Sequence, residues 1–162
     1  MNGPVRKNLR LPSYTYADGA FFVTVCTKGR IPLLSKIDAV GAGVLDRPRV
    51  ALLPHGSIAD KYIRQLHTFY ADISVDKYVI MPDHIHLLLR VTDNGRSGTP
   101  APTPSNSPVA RFVSTLKRFC NKEYGGNIWQ RSYYDHVIRN QQDYDEIWQY
   151  IENNPKKWVM ER

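Results

Sequence analysis

Hydrophobic and polar positions divide the chain into seven segments. Residues 19–27, Gly-Ala-Phe-Phe-Val-Thr-Val-Cys-Thr, are aromatic and β-branched and predict a strand. Residues 30–56 hold three prolines and three glycines and read as an irregular connection. Ser57 is a candidate N-cap, and Ile58, Tyr62, Leu66 and Phe69 then recur at helical spacing, with Ile63 and Tyr70 beside them; this predicts a helix over 57–71. Residues 73–81 and 84–91 read as two strands separated by the turn signal Pro82-Asp83, hence an antiparallel hairpin. Residues 92–108 are rich in Pro, Gly, Ser and Thr and predict a flexible loop. Ser107-Pro108 then has the form of an N-cap followed by proline at the first helical position. Val109, Phe112, Val113, Leu116, Phe119 and Cys120 form the apolar stripe of that helix, and Gly125-Gly126 ends it. Residues 128–139 read as a fourth strand. A last helix over 142–153 has the stripe Tyr144, Ile147, Trp148 and Ile151.

Strand, helix, strand, strand, helix, strand, helix is the ferredoxin-like β-α-β-β-α-β order with an added C-terminal helix, an α+β fold. Two helices would cover one sheet face and leave the other open. The length, 162 residues, suits one domain spanning 1–162.

Alternation within the second hairpin strand points to chemistry. His84 and His86 are two residues apart, so both side chains leave one face of the strand. Ile85, Leu87, Leu89 and Val91 leave the other, and that apolar face packs on the helices. The histidines therefore project from the opposite face, close enough to share one metal ion. Spacing alone also fits two unconnected surface histidines. On the last helix Tyr150 and Asn154 are four apart and share a side. Tyr150 lies beside the apolar stripe rather than at its centre, where it can keep its hydroxyl out of the core or simply cap the hydrophobic seam. Residues before proline avoid the α region, so Pro155 predicts that the helix ends at Asn153 or Asn154.

Charge narrows the class of partner. Lys and Arg total 22 against 15 Asp and Glu, a net +7, and residues 1–50 hold eight basic and three acidic residues. Such a chain favours polyanions, nucleic acid or an anionic membrane surface. Arg6, Lys7 and Arg10 near the N-terminus, and Arg111, Lys117, Arg118 and Lys122 off the stripe of the second helix, are candidate phosphate contacts; a merely solvated face is the alternative. His136 and Arg139 on the fourth strand are further candidates for DNA contact. No run of apolar residues reaches the length of a transmembrane helix. Two cysteines are no disulfide framework, and a cytoplasmic setting, with no membrane partner, is expected.

Taken together, these residues resemble a known family. Tyr-Val-Ile-Met-Pro-Asp-His-Ile-His-Leu-Leu-Leu at 78–89 resembles the histidine–hydrophobic–histidine (HUH) block of single-tyrosine transposases. Trp129-Gln130, the segment 134–139 and the segment Tyr150-Ile-Glu-Asn-Asn-Pro155 are similar to later blocks of the REP-associated tyrosine transposase branch. The resemblance runs from about residue 10 to 158. It implies an enzyme that cuts and rejoins single-stranded DNA at REP-like hairpins, near the bacterial nucleoid, as a monomer or homodimer. It implies Tyr150 as nucleophile, and His84, His86 and Asn154 as ligands of a divalent metal, Mg²⁺ or Mn²⁺. Relatives in insertion sequences more often carry Gln where Asn154 stands, and the Pro-rich segment 97–108 is longer than the family pattern. Tyr133 and Tyr134 compete with Tyr150 as nucleophile, although strands favour aromatics for packing alone. Two rival readings remain open: a non-catalytic single-strand-binding module of the same fold, and a metal-dependent hydrolase in which water attacks.

Overall fold

The computed structural model describes residues 19–38, 48–92 and 107–161. Within them lie strands β1 (Ala20–Cys26), β2 (Ser35–Asp38) and β3 (Arg49–Leu52), helix α1 (Pro54–Phe69), strands β4 (Ile73–Ile80) and β5 (His84–Val91), helix α2 (Pro108–Tyr124), strand β6 (Tyr134–Ile138) and helix α3 (Gln141–Met160). Arg6, Lys7, Arg10 and most of the Pro-rich loop lie outside the described residues.

The main sheet has the order β4-β5-β1-β6, antiparallel throughout. Setting aside β2 and β3, this is the ferredoxin-like arrangement with an added C-terminal helix. The expected facing of β5 is met. Ile85, Leu87 and Leu89 join Val23 and Val25 of β1 against Ala59, Ile63 and Leu66 of α1 and Phe112 and Leu116 of α2. Ser107 caps α2, its hydroxyl accepting from the Ala110 N–H at 3.0 Å, and Gly125 ends the helix in the left-handed conformation at φ 90°. Glycine is suited there because it has no side chain to clash.

The other sheet face is not open. Helix α3 lies across it, and Ile151 packs with Ala20, Leu88 and Ile138, joined by Phe22, Val79, Tyr144, Ile147 and Trp148. The apolar stripe of α3 needs a partner, and the alternate residues of β1 and β5 supply it. Polar contacts add register: the Tyr144 hydroxyl donates to Asp76 at 2.6 Å, and Lys77 pairs with Glu152 at 2.6 Å.

Four boundaries differ from the sequence expectation. Helix α3 does not stop before Pro155 but runs on to Met160, with Pro155 buried. Proline forfeits one helical hydrogen bond there, and packing under α3 outweighs the local preference. Helix α1 begins at Pro54, with Leu53 rather than Ser57 at the cap; its buried stripe is Ala59, Ile63 and Leu66, and Phe69 is exposed. Gly56 is required in its first turn, because a Cβ would lie 1.9 Å from the Leu34 carbonyl oxygen. The connection after β1 contains the hairpin β2–β3, whose four-residue strands are too short to show a period. Finally, the segment 128–139 is not one strand. Thr27 bridges Trp129 and Thr24 pairs with Tyr134, so three steps along β1 face five along the other chain. The two extra residues make a bulge within 131–133. Lys117 ties this bulge down, its ammonium donating to the carbonyls of Gln130 at 2.8 Å and Ser132 at 2.9 Å.

Candidate active site

A cleft of about 380 Å³ opens where α3 crosses the end of β1 and β5. Its walls include Thr24, Arg30, His84, His86, Tyr134, Tyr150, Asn154 and Lys157.

The two histidines converge. Alternation puts them on the α3 side of β5, and their Nε2 atoms stand 3.1 Å apart. Two ligands of an octahedral cation at about 2.1 Å, set at right angles, lie about 3.0 Å apart, so this spacing suits a shared ion. Outer partners hold both rings: Asp83 contacts His84 Nδ1 at 2.7 Å, and the Thr24 hydroxyl contacts His86 Nδ1 at 2.9 Å. The rings are covered rather than displayed. His84 is 8% and His86 5% exposed, because α3 lies over them. Burial disfavours the imidazolium, so it depresses both pKa values. For His86, the neighbouring His84 and Arg30 add to this and push it down to about 3. For His84, Asp83 opposes the burial without cancelling it. Neutral imidazoles are the form that binds metal.

Continuation of α3 through Pro155 puts Tyr150, Asn154, Lys157, Trp158 and Glu161 along the cleft. The Tyr150 ring lies 5.4 Å from that of His86 and meets Phe22 edge-on at 5.8 Å, with the Lys157 ammonium 5.6 Å from its centre. At 42% exposed, it is sheathed on one side and accessible on the other. Asn154 is buried; its amide nitrogen donates to the Tyr150 carbonyl at 3.0 Å, and its side chain also reaches the His84 ring. Among the described residues no group of three His, Cys, Asp or Glu could hold a metal; the further oxygen donor beside the two imidazoles is the Asn154 side chain. Two imidazoles and one carbonyl-type oxygen leave the rest of the coordination sphere for water or substrate oxygens. That donor set fits Mg²⁺ or Mn²⁺ better than a closed zinc site.

The structure thus brings together His84, His86, Tyr150 and Asn154. Among the described residues, Arg111, Lys117, Arg118, His136 and Arg139 do not line that cleft. Helix α2 lies on the far side of the sheet; there Arg111 pairs with Asp72 at 3.4 Å and Lys117 holds the 130–132 carbonyls, while Arg118 is exposed and lies over the Phe119 ring. His136 ties β6 to the first turn of α3 by contacting Asp143 at 2.9 Å, and Arg139 is exposed just before that helix. Tyr133 packs against the α1–α2 core, whereas Tyr134 faces the cleft. Sequence reasoning missed Arg30, Thr24 and Lys157 and took Asp83 as a turn residue only. Thr24 was findable by alternation, had the pairing of β1 with β5 been known. Lys157 was hidden by the expected helix end.

Comparison with known proteins decides the family. A family model described as Transposase IS200 like matches residues 55–154. The chain belongs to the IS200-like transposase family. An uncharacterized protein of Haemophilus influenzae is 28% identical over 97% of this chain and 92% of its own length. A REP-associated tyrosine transposase of Escherichia coli is 29% identical over 52% of this chain; the matched part spans 47% of that relative. A solved REP-associated tyrosine transposase, bound to a REP hairpin, superimposes with a TM-score of 0.60 at 21% identity, covering 86% of this chain and 68% of that one. That likeness concerns the fold. Among the described residues, no helix of this transposase-family chain is long and apolar enough to cross a membrane.

Proposed function

We propose that this chain cuts and rejoins single-stranded DNA through a covalent 5′-phosphotyrosine on Tyr150, with REP-like hairpins as substrate. The observation that carries the reading is the meeting of Tyr150, Asn154 and the two histidine Nε2 atoms in one cleft built by a single chain. His84, His86 and Asn154 would hold Mg²⁺ or Mn²⁺, which when bound offsets negative charge on the scissile phosphate. Family membership supports DNA transposition chemistry, and the hairpin carried by a relative of the same fold supports a hairpin partner.

In this scheme Tyr150 does the covalent work. Its phenolic oxygen forms a bond to phosphorus as the bond from phosphorus to the 3′-oxygen breaks. The phenol gives up its proton, and the departing oxygen leaves as a 3′-hydroxyl. One phosphodiester replaces another, so the reverse attack by a 3′-hydroxyl reseals the strand without ATP. Phe22 and His86 fix the ring by contact on one side and leave the other to the DNA. Lys157 brings positive charge to the same wall, where a phosphate would sit. The rival binding-module reading relies on an open sheet face for base stacking, and α3 covers that face.

The test is incubation with REP-like hairpin oligonucleotides and Mn²⁺, followed by a denaturing gel. A protein–DNA adduct that survives SDS is expected. Cleavage with no adduct would favour attack by water, and binding without cleavage would favour a non-catalytic module.

A further inference from the structure

We infer that Asp83, held by Arg30, is a positioning residue that fixes His84 in its Nδ1–H tautomer and so turns the Nε2 lone pair toward the cleft. The inference rests on the proposed metal-holding role of His84 only for its consequence, not for its geometry.

Asp83 lies in the turn just before β5, and its backbone is pinned: its carbonyl accepts from the Thr27 N–H at 3.0 Å and from the Thr27 hydroxyl at 3.2 Å. Its carboxylate meets three donors, His84 Nδ1 at 2.7 Å, Arg30 Nε at 3.2 Å and Arg30 Nη2 at 3.3 Å. An ionised carboxylate only accepts, and a guanidinium only donates. The short contact to His84 therefore requires hydrogen on Nδ1. A neutral imidazole has one N–H, so Nε2 is left as the lone-pair nitrogen. Arg30 Nη2 also lies 3.4 Å from His84 Nδ1, and since both carry hydrogen in this state, that approach is a neighbour contact rather than a bond.

Arg30 reaches Asp83 by a backbone form that few residues adopt. Gly29 and Arg30 both have positive φ, 67° and 53°, and the Arg30 N–H closes the turn onto the Thr27 carbonyl at 3.0 Å. The turn delivers the guanidinium to the carboxylate at the cleft mouth. His86 is held differently. Its Nδ1 meets the Thr24 hydroxyl, which can donate or accept, and its Nε2 faces His84 Nε2 at 3.1 Å, so without metal it takes the complementary tautomer, with hydrogen on Nε2 and Thr24 donating to Nδ1. Outer carboxylates of this kind orient metal-binding histidines and sustain their affinity.

The test uses the full chain with ¹⁵N-labelled imidazoles. Without metal, two-bond ¹H–¹⁵N spectra should show His84 protonated on Nδ1. In Asp83→Ala the His84 signals should move toward a tautomer mixture, and calorimetric Mn²⁺ affinity without DNA should fall about 10- to 100-fold. Arg30→Gln should weaken Mn²⁺ binding in the same direction by less. Asp83→Asn, which keeps the shape, carries the test if the alanine variant does not fold. A wild-type His84 protonated on Nε2, or tautomer and affinity both unchanged in the Asp83 variants, overturns the inference. If the wild type binds no Mn²⁺, the metal part of the proposed function fails, while the spectra still decide the role of Asp83.

Discussion

Single residues in the cleft carry separable duties. Tyr150→Phe removes only a hydroxyl, and its ring contacts with Phe22 and His86 persist. The expected result is loss of the SDS-resistant adduct with hairpin affinity retained, whereas Tyr133→Phe and Tyr134→Phe keep the adduct. An adduct formed by the Tyr150 variant would move the nucleophile elsewhere. The histidines behave unlike surface residues. Alanine at 84 or 86 opens space beneath α3 and strips Asp83 or Thr24 of a partner, which costs about 1–3 kcal/mol. Cleavage should be lost in both. Their depressed pKa values also predict a pH dependence. The folded chain keeps both rings neutral, while unfolded imidazoles protonate near 6.5. Stability therefore holds above about pH 6.5 and falls as pH drops below it, by up to about 1.4 kcal/mol per unit per histidine, down toward the folded value of about 3 for His86. Asp83, held below the usual carboxylate range by its His84 and Arg30 partners despite burial, loses its contribution only at lower pH. Urea titrations between pH 7 and 5 should show a shallower slope for His86→Gln than for wild type. Equal slopes would mean that His86 is not the proton acceptor.

At the scale of elements, α3 both closes the sheet and carries the tyrosine and the amide. Ile151, 1% exposed, is the centre of its contact. Ile151→Ala should cost about 2–4 kcal/mol by the usual cavity effect and lower cleavage more than binding, because Tyr150 and Asn154 ride on the loosened helix. A thermal melt and a cleavage assay check the two halves. Cleavage unaffected by a melt several degrees lower would show that the helix holds its place by other contacts, such as Tyr144–Asp76 and Lys77–Glu152.

For the whole molecule, the relevant question is where the net charge meets DNA. Sequence reasoning placed phosphate contacts on α2, yet Arg111 and Lys117 are engaged with Asp72 and with backbone carbonyls. The lysine is a strap for the bulge at 131–133, and burial lowers its pKa. Lys117→Ala should therefore lower the melting temperature and leave the salt dependence of DNA affinity unchanged. Lys157→Ala, at the cleft, should flatten the log–log salt slope by about 0.7, the contribution of one phosphate on single-stranded DNA. The opposite pattern would move the DNA path to the α2 face.

Much of this protein is local enough to read without coordinates. Alternation along 84–91 set the two faces of β5, because a strand turns its side chains by half a revolution per residue. The Ser107 cap, the Gly125 stop and the one-turn spacing of Tyr150 and Asn154 are likewise properties of neighbouring residues. The order of the elements then constrained the sheet to a ferredoxin-like arrangement. Other features depended on partners far away in the chain. Whether the histidine face is open or closed rests on α3 finding Leu88, Ala20 and Ile138, which no local pattern reports. The passage of α3 through Pro155, and with it the place of Lys157 on the cleft, was decided by packing that overrode a local backbone preference. Arg30 and Thr24 meet the histidine pair because β1 pairs with β5, setting Cys26 opposite His84 and Thr24 opposite His86, whereas Asp83 is the neighbour of His84 in the chain. Sequence determined which groups this protein possesses and which way each strand presents them. Tertiary structure alone decided which became neighbours, because contacts between distant segments depend on the burial of whole faces rather than on the residues beside them.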